Sequence, residues 1–191
     1  DPIAFDCVAD AVYPRAASGS EGEVTVRGLL TKFGKARRPV GLCVAILRYS
    51  DLLNSTCAKG DPENWSSCFA VDFCDPSKAN ALGQGVLVGS AVSVEAPGNE
   101  EAGIYEIPGV PVGVNLVVKA SGPNVEWVDT YKYGVYIPDE ESELETVEVE
   151  ASIISRSSWQ TVPATAMVPR GVQTPNGAIA GSVADCGGVP E

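Results

Sequence analysis

Residues 100–122, EEAGIYEIPGVPVGVNLVVKASG, decide the fold. Two apolar runs that alternate with polar residues flank a corner rich in glycine and proline. A period of two is the signature of a strand with one buried face, so the stretch reads as strand, corner, strand. Glycine supplies positive φ or close backbone approach at such a corner, and proline presets φ and blocks unwanted strand pairing. Tyr105 can bury its ring while its hydroxyl reaches a backbone acceptor. Nothing in the stretch pairs a nucleophile with a base. It builds a wall.

Working outward, the same pattern recurs. EVTVRGLLT (23–31) is a strand with an expected bulge at Gly28. KFGKARRP (32–39) is a basic turn, and VGLCVAILR (40–48) is apolar almost throughout, as a central strand buried on both faces must be. Residues 49–85 carry Cys57, Cys68 and Cys74 among small polar residues, and read as a long insertion ordered by disulfides. Strand pattern resumes at GVLVGSAVSVEA (85–96) and continues through VEWVDTYKYGVYI (125–137), an acidic turn PDEESE (138–143) and LETVEVEAS (144–152). IISRSSW (153–159) reads as a further short strand. Apart from a helical turn near Asp75–Ala81, no stretch shows sustained helical periodicity. The expected fold is an all-β antiparallel sandwich of about seven strands. Its expected limits are an N-terminal arm at 1–22, the sandwich at 23–160, a linker at 161–176 and a tail at 177–191.

Composition excludes several functions. The 191 residues include 13 basic and 25 acidic side chains, a net charge of −12 that repels phosphate backbones and anionic headgroups. No apolar run approaches the roughly 18 residues of a membrane span. Histidine is absent, which removes Ser-His-Asp and Cys-His catalysis, histidine-ligated zinc and the two-histidine iron site. Six cysteines (Cys7, Cys43, Cys57, Cys68, Cys74 and Cys186) form an even set without a CxxC pair. They read as disulfides, and so as the product of an oxidising compartment: periplasm, cell surface or secreted. The preferred pairs are Cys57–Cys68 and Cys43–Cys74, leaving Cys7 and Cys186 joined to each other or unpaired. Asp1 reads as a mature or trimmed start.

The corner resembles that of the carboxypeptidase regulatory-like domain. The match is Gly103, Tyr105, Ile107, Gly109, Val110, Pro111 and Gly113, with Val114, Leu116 and Val118 on the strand that follows. Val26, Gly28 and Leu30 stand where that family opens, and PVGLCVAI (39–46) is a shortened relative of its second strand. The resemblance covers residues 23–151, is interrupted at 49–85, and implies a transthyretin-like sandwich. GAIAGSVADCGGVPE (177–191) repeats the opening: Ile179, Gly181 and Val183 fall where Val26, Gly28 and Leu30 do. The tail therefore reads as the first strand of a second copy, or as a docked segment.

Trp127, Tyr131 and Tyr133 share strand parity and are the candidate ligand-binding residues, a row suited to stacking on sugar rings; Tyr136 faces the other way. The competing reading is that these rings pack in the core or across strands. Asp51, Asp61, Asp72 and Asp75 lack a DxDxDG run, so calcium has little support and solvated loop carboxylates are the simpler reading. Two N-x-S/T sequons, at Asn54 and Asn64, fall in the insertion. No metal, cofactor or catalytic residue is expected. The expected function is a non-catalytic extracytoplasmic module for adhesion, assembly or spacing, its partner an unidentified protein or glycan. The alternatives are a carbohydrate-binding module and an accessory domain of a hydrolase.

Overall fold

The computed structural model describes residues 22–33, 38–55, 72–75, 78, 85–95 and 102–165. Among these, ten strands form two sheets whose facing sides enclose the core. The first sheet contains β1 (Glu23–Lys32), β4 (Val94–Glu95), β5 (Ala102–Pro111), β7 (Trp127–Val128), β9 (Thr146–Glu148) and β10 (Ala151–Ser155). The second contains β2 (Cys43–Arg48), β3 (Leu87–Val92), β6 (Asn115–Ser121) and β8 (Thr130–Tyr136), in the order β3-β2-β6-β8. Helix α1 spans Tyr49–Asn54, helix α2 Arg156–Thr165, and the acidic stretch Asp139–Glu143 forms a 3₁₀ turn.

The chain is thus an all-β sandwich. Its second sheet is antiparallel throughout, but the first is mixed. β1 pairs antiparallel with β5 on one side, and on the other runs parallel to β9 (Val26 opposite Val147) and then to β10 (Thr31 opposite Ser152). The parallel pairing arises because the chain crosses to the second sheet before its last strands return beside the first.

The opening stretch is strand, corner, strand as expected. β5 runs to Pro111, Gly113 turns the chain at φ 69° and donates its N–H to the Ile137 carbonyl at 2.8 Å, and β6 follows. The inward residues Val44, Ile46, Leu116, Val118 and Ala120 of the second sheet meet Val24, Val26, Leu30, Tyr105 and Ile107 of the first. β2 is buried on both faces, because its alternate residues Cys43, Ala45 and Leu47 join a second apolar cluster with Leu52 of α1, Phe73, Val86 and Val117. The described parts of the insertion, residues 49–55 and 72–75, therefore lie over the outer side of the second sheet and give it a small core of its own.

Four expectations change. Residues 85–96 form two strands, because the chain leaves the second sheet at Ser93 and joins the first as β4. Ser93 is buried there; its hydroxyl accepts from Leu42 N–H and donates to the Pro39 carbonyl, each at 3.1 Å, so the crossing leaves its polar groups bonded. Residues 125–137 likewise divide at Asp129 into β7 and β8, in different sheets. The bulge of β1 lies between Val24 and Val26, whereas Gly28 stays in register opposite Tyr105. IISRSSW is the end of β10 and the start of α2, since the Ser155 hydroxyl accepts the Ser158 N–H at 3.4 Å in the manner of an N-cap.

Residues 1–21 and 177–191 lie outside the described residues, and so do Cys7, Cys57, Cys68, Cys186, Asp61, Asn64 and Trp65. Among the described residues no helix is long and apolar enough to cross a membrane.

Candidate functional site

Lys119 projects from β6 with the parity of Val117, away from the inter-sheet core and into the second cluster, in register with Ala45 of β2 and Tyr131 of β8. Its solvent exposure is 0%. A lysine this deep requires a partner, and it has one: Nζ lies 2.9 Å from Oδ2 of Asp129, whose side chain keeps 33% exposure. Asp129 reaches that position because it is the residue at which the chain changes sheets between β7 and β8. The ammonium also lies 5.0 Å from the Phe73 ring centroid and 5.7 Å from that of Tyr131, where the π faces attract it.

The cover over Lys119 comes from the insertion. Cys74 is bonded to Cys43 of β2, with a Cα–Cα distance of 5.7 Å, so the expected Cys43–Cys74 bridge is present. Ser90 on β3 donates to the Phe73 carbonyl at 2.9 Å, and Asp72 accepts the Cys74 N–H through Oδ1 at 3.1 Å. These ties hold Phe73 down on the lysine. Burial pushes the Lys119 amine below the usual lysine range, against the opposing pull of Asp129 and, more weakly, Asp72. Burial also raises the Tyr131 phenol, and the Asp129 charge and Tyr133 raise it further. The ligand atoms of Cys43, Asp72 and Cys74 lie within 4.8 Å of one another, but the two sulfurs are spent on each other, so the group offers no thiolate to a metal.

The aromatic row does not form one face. Trp127 is in the first sheet, half-buried against the core, with Lys32 Nζ at 5.4 Å from its ring; a Cβ at Gly122 would run into it. Tyr131 and Tyr133 are in the second sheet and stack on each other, centroids 6.2 Å apart with planes at 24°. Tyr133 is 59% exposed, while Tyr131 is half-buried above Lys119. Parity is meaningful only within one continuous strand, and the break at Asp129 sends the tryptophan elsewhere. The described aspartates of the insertion are likewise separate: Asp51 lies 3.7 Å from Arg48, Asp75 pairs with Lys78 at 3.1 Å, and Asp72 caps its own turn. Lys119 was the residue to notice. A single charge inside the apolar run from Leu116 to Ala120, sharing the parity of Val117, is the signal.

No protein-family model matches the chain, and neither does any curated protein. The carboxypeptidase regulatory-like resemblance therefore reduces to the β-rich architecture. Two solved structures are similar over 70% of the chain. One is Serratia marcescens Lip, a membrane-bound component of the type VI secretion system, at 14% identity over 90% of its length with a TM-score of 0.31. The other is a double mutant of the shaft pilin SpaA from Lactobacillus rhamnosus GG, at 8% identity over 49% of its length with a TM-score of 0.31. Similarity of this degree transfers no function or partner.

Proposed function

We propose that the chain is a non-catalytic, extracytoplasmic module that separates and mechanically links what lies on either side of it. The observation that carries this reading is the parallel pairing of β1 with β9 and β10. Parallel neighbours run in one direction, so the sandwich is entered at one end, near Gly22, and left at the other, beyond Ser155. A pull on the two ends loads the β1–β9–β10 ladder in shear, so that its hydrogen bonds resist together instead of opening singly. Phe33 N–H to the Ile153 carbonyl and Val149 N–H to the Arg27 carbonyl, both 2.9 Å, belong to that set. The Cys43–Cys74 bridge supports placement in an oxidising compartment.

Single-molecule stretching of the full chain through its ends tests the reading, because forced unfolding reports the barrier directly. The expected trace is one cooperative rupture, at higher force than when the same chain is pulled from residue 22 and residue 124, a geometry that does not shear β1 against β10. Equal forces from the two geometries would refute the spacer role. The sugar-binding alternative retains Tyr133 and part of Tyr131, without the tryptophan that a three-ring platform needs.

A further inference from the structure

We infer that Lys119 and Asp129 are joined by an intramolecular amide bond between Nζ and Cγ, formed after folding. The contact that places them, 2.9 Å between Nζ and Oδ2, brings nucleophile and acyl carbon together on β6 and at the start of β8. Effective concentrations in such fixed pairs far exceed those of free reactants. The environment favours the product. A buried ion pair keeps a desolvation cost that its mutual attraction only partly offsets, whereas an amide carries no charge. Lys119 is wholly removed from solvent under Phe73 and Tyr131, while Asp129 opens to water on one side, which gives the expelled water a way out.

The step balances without an oxidant or any further reactant. One proton passes from the Lys119 ammonium to the Asp129 carboxylate along the existing contact. The neutral Nζ attacks Cγ, the Nζ–Cγ bond forms, and the Cγ–O bond to the protonated oxygen breaks. A second amine proton goes to the departing hydroxyl, and water leaves. Lowering of the amine by burial favours the neutral nucleophile this needs.

Intact-mass measurement of the full chain after complete reduction decides the matter. The expected mass falls short of the sequence mass by one water, and trypsin fails to cut after Lys119 because its side chain is acylated. The Asp129→Ala chain has its own full sequence mass and is cut at Lys119. A wild-type chain of full mass, cut at Lys119, overturns the proposal. So does a one-water deficit that persists in Asp129→Ala, since the loss then arises elsewhere. The wild-type measurement stands even where the variant fails to fold.

Discussion

Gly28 and Tyr105 face each other across β1 and β5, and each accounts for the other. The Tyr105 ring is buried, and its hydroxyl donates to the Val149 carbonyl across the gap between β9 and β10. A Cβ on Gly28 would overlap that carbonyl oxygen and meet the phenol oxygen at 2.7 Å, so the glycine is required by steric clearance. Gly28→Ala is expected to destabilise the fold by about 1–3 kcal/mol through overpacking, read as a lower urea midpoint at unchanged slope. Tyr105→Phe leaves a buried carbonyl without its donor and is expected to cost about 1–3 kcal/mol. The phenols also set an alkaline limit. Burial raises the Tyr105, Tyr131 and Tyr133 hydroxyls, with Glu150 adding to the effect at Tyr105. Their contribution is complete below the unfolded phenol value of about 10 and is lost as pH climbs from there toward the folded values. Stability should therefore fall above about pH 10, and Tyr105→Phe should flatten that fall in denaturant titrations.

At the scale of elements, the described part of the insertion is held to the sheet by a covalent tie and an apolar contact surface. The Cys43–Cys74 bridge closes a loop of sequence separation 31 and seats Phe73 in the outer cluster. Replacing both cysteines by serine is expected to cost about 3–4 kcal/mol, from the loop-closure entropy of a loop that size. It should also loosen Phe73 from the outer cluster, seen as faster amide hydrogen exchange at residues 72–75. An unchanged midpoint and exchange rate would mean that α1 and Leu52 suffice to hold the cover. Element boundaries were legible where hydrophobic alternation ends in glycine or proline, as at β5, β6 and the start of β2. They were not legible at Ser93 and Asp129, where the alternation runs on without interruption. There the break is made by a side chain bonding groups on another strand or loop: Pro39 and Leu42 for Ser93, Lys119 of β6 for Asp129.

For the whole molecule, a net charge of −12 surrounds a sandwich whose two apolar clusters share the second sheet. Self-repulsion of like charges opposes the compact state, and salt relieves it. The Debye length shrinks from about 30 Å at 0.01 M to about 8 Å at 0.15 M, so the thermal midpoint should rise between those conditions. A midpoint that falls with salt would show that local ion pairs outweigh the net repulsion.

From the residues alone followed the all-β class, the strand–corner–strand reading of residues 100–122, the doubly buried β2 and the Cys43–Cys74 pairing. Each depends on local period, on turn chemistry or on cysteine count, quantities that neighbouring residues carry. Only the tertiary structure decided that β1 lies parallel to β9 and β10, that Trp127 leaves the company of Tyr131 and Tyr133, and that Lys119 meets Asp129 beneath Phe73. These are distances between segments far apart in the chain or on either side of a sheet change, and side-chain periodicity carries no information across such a gap.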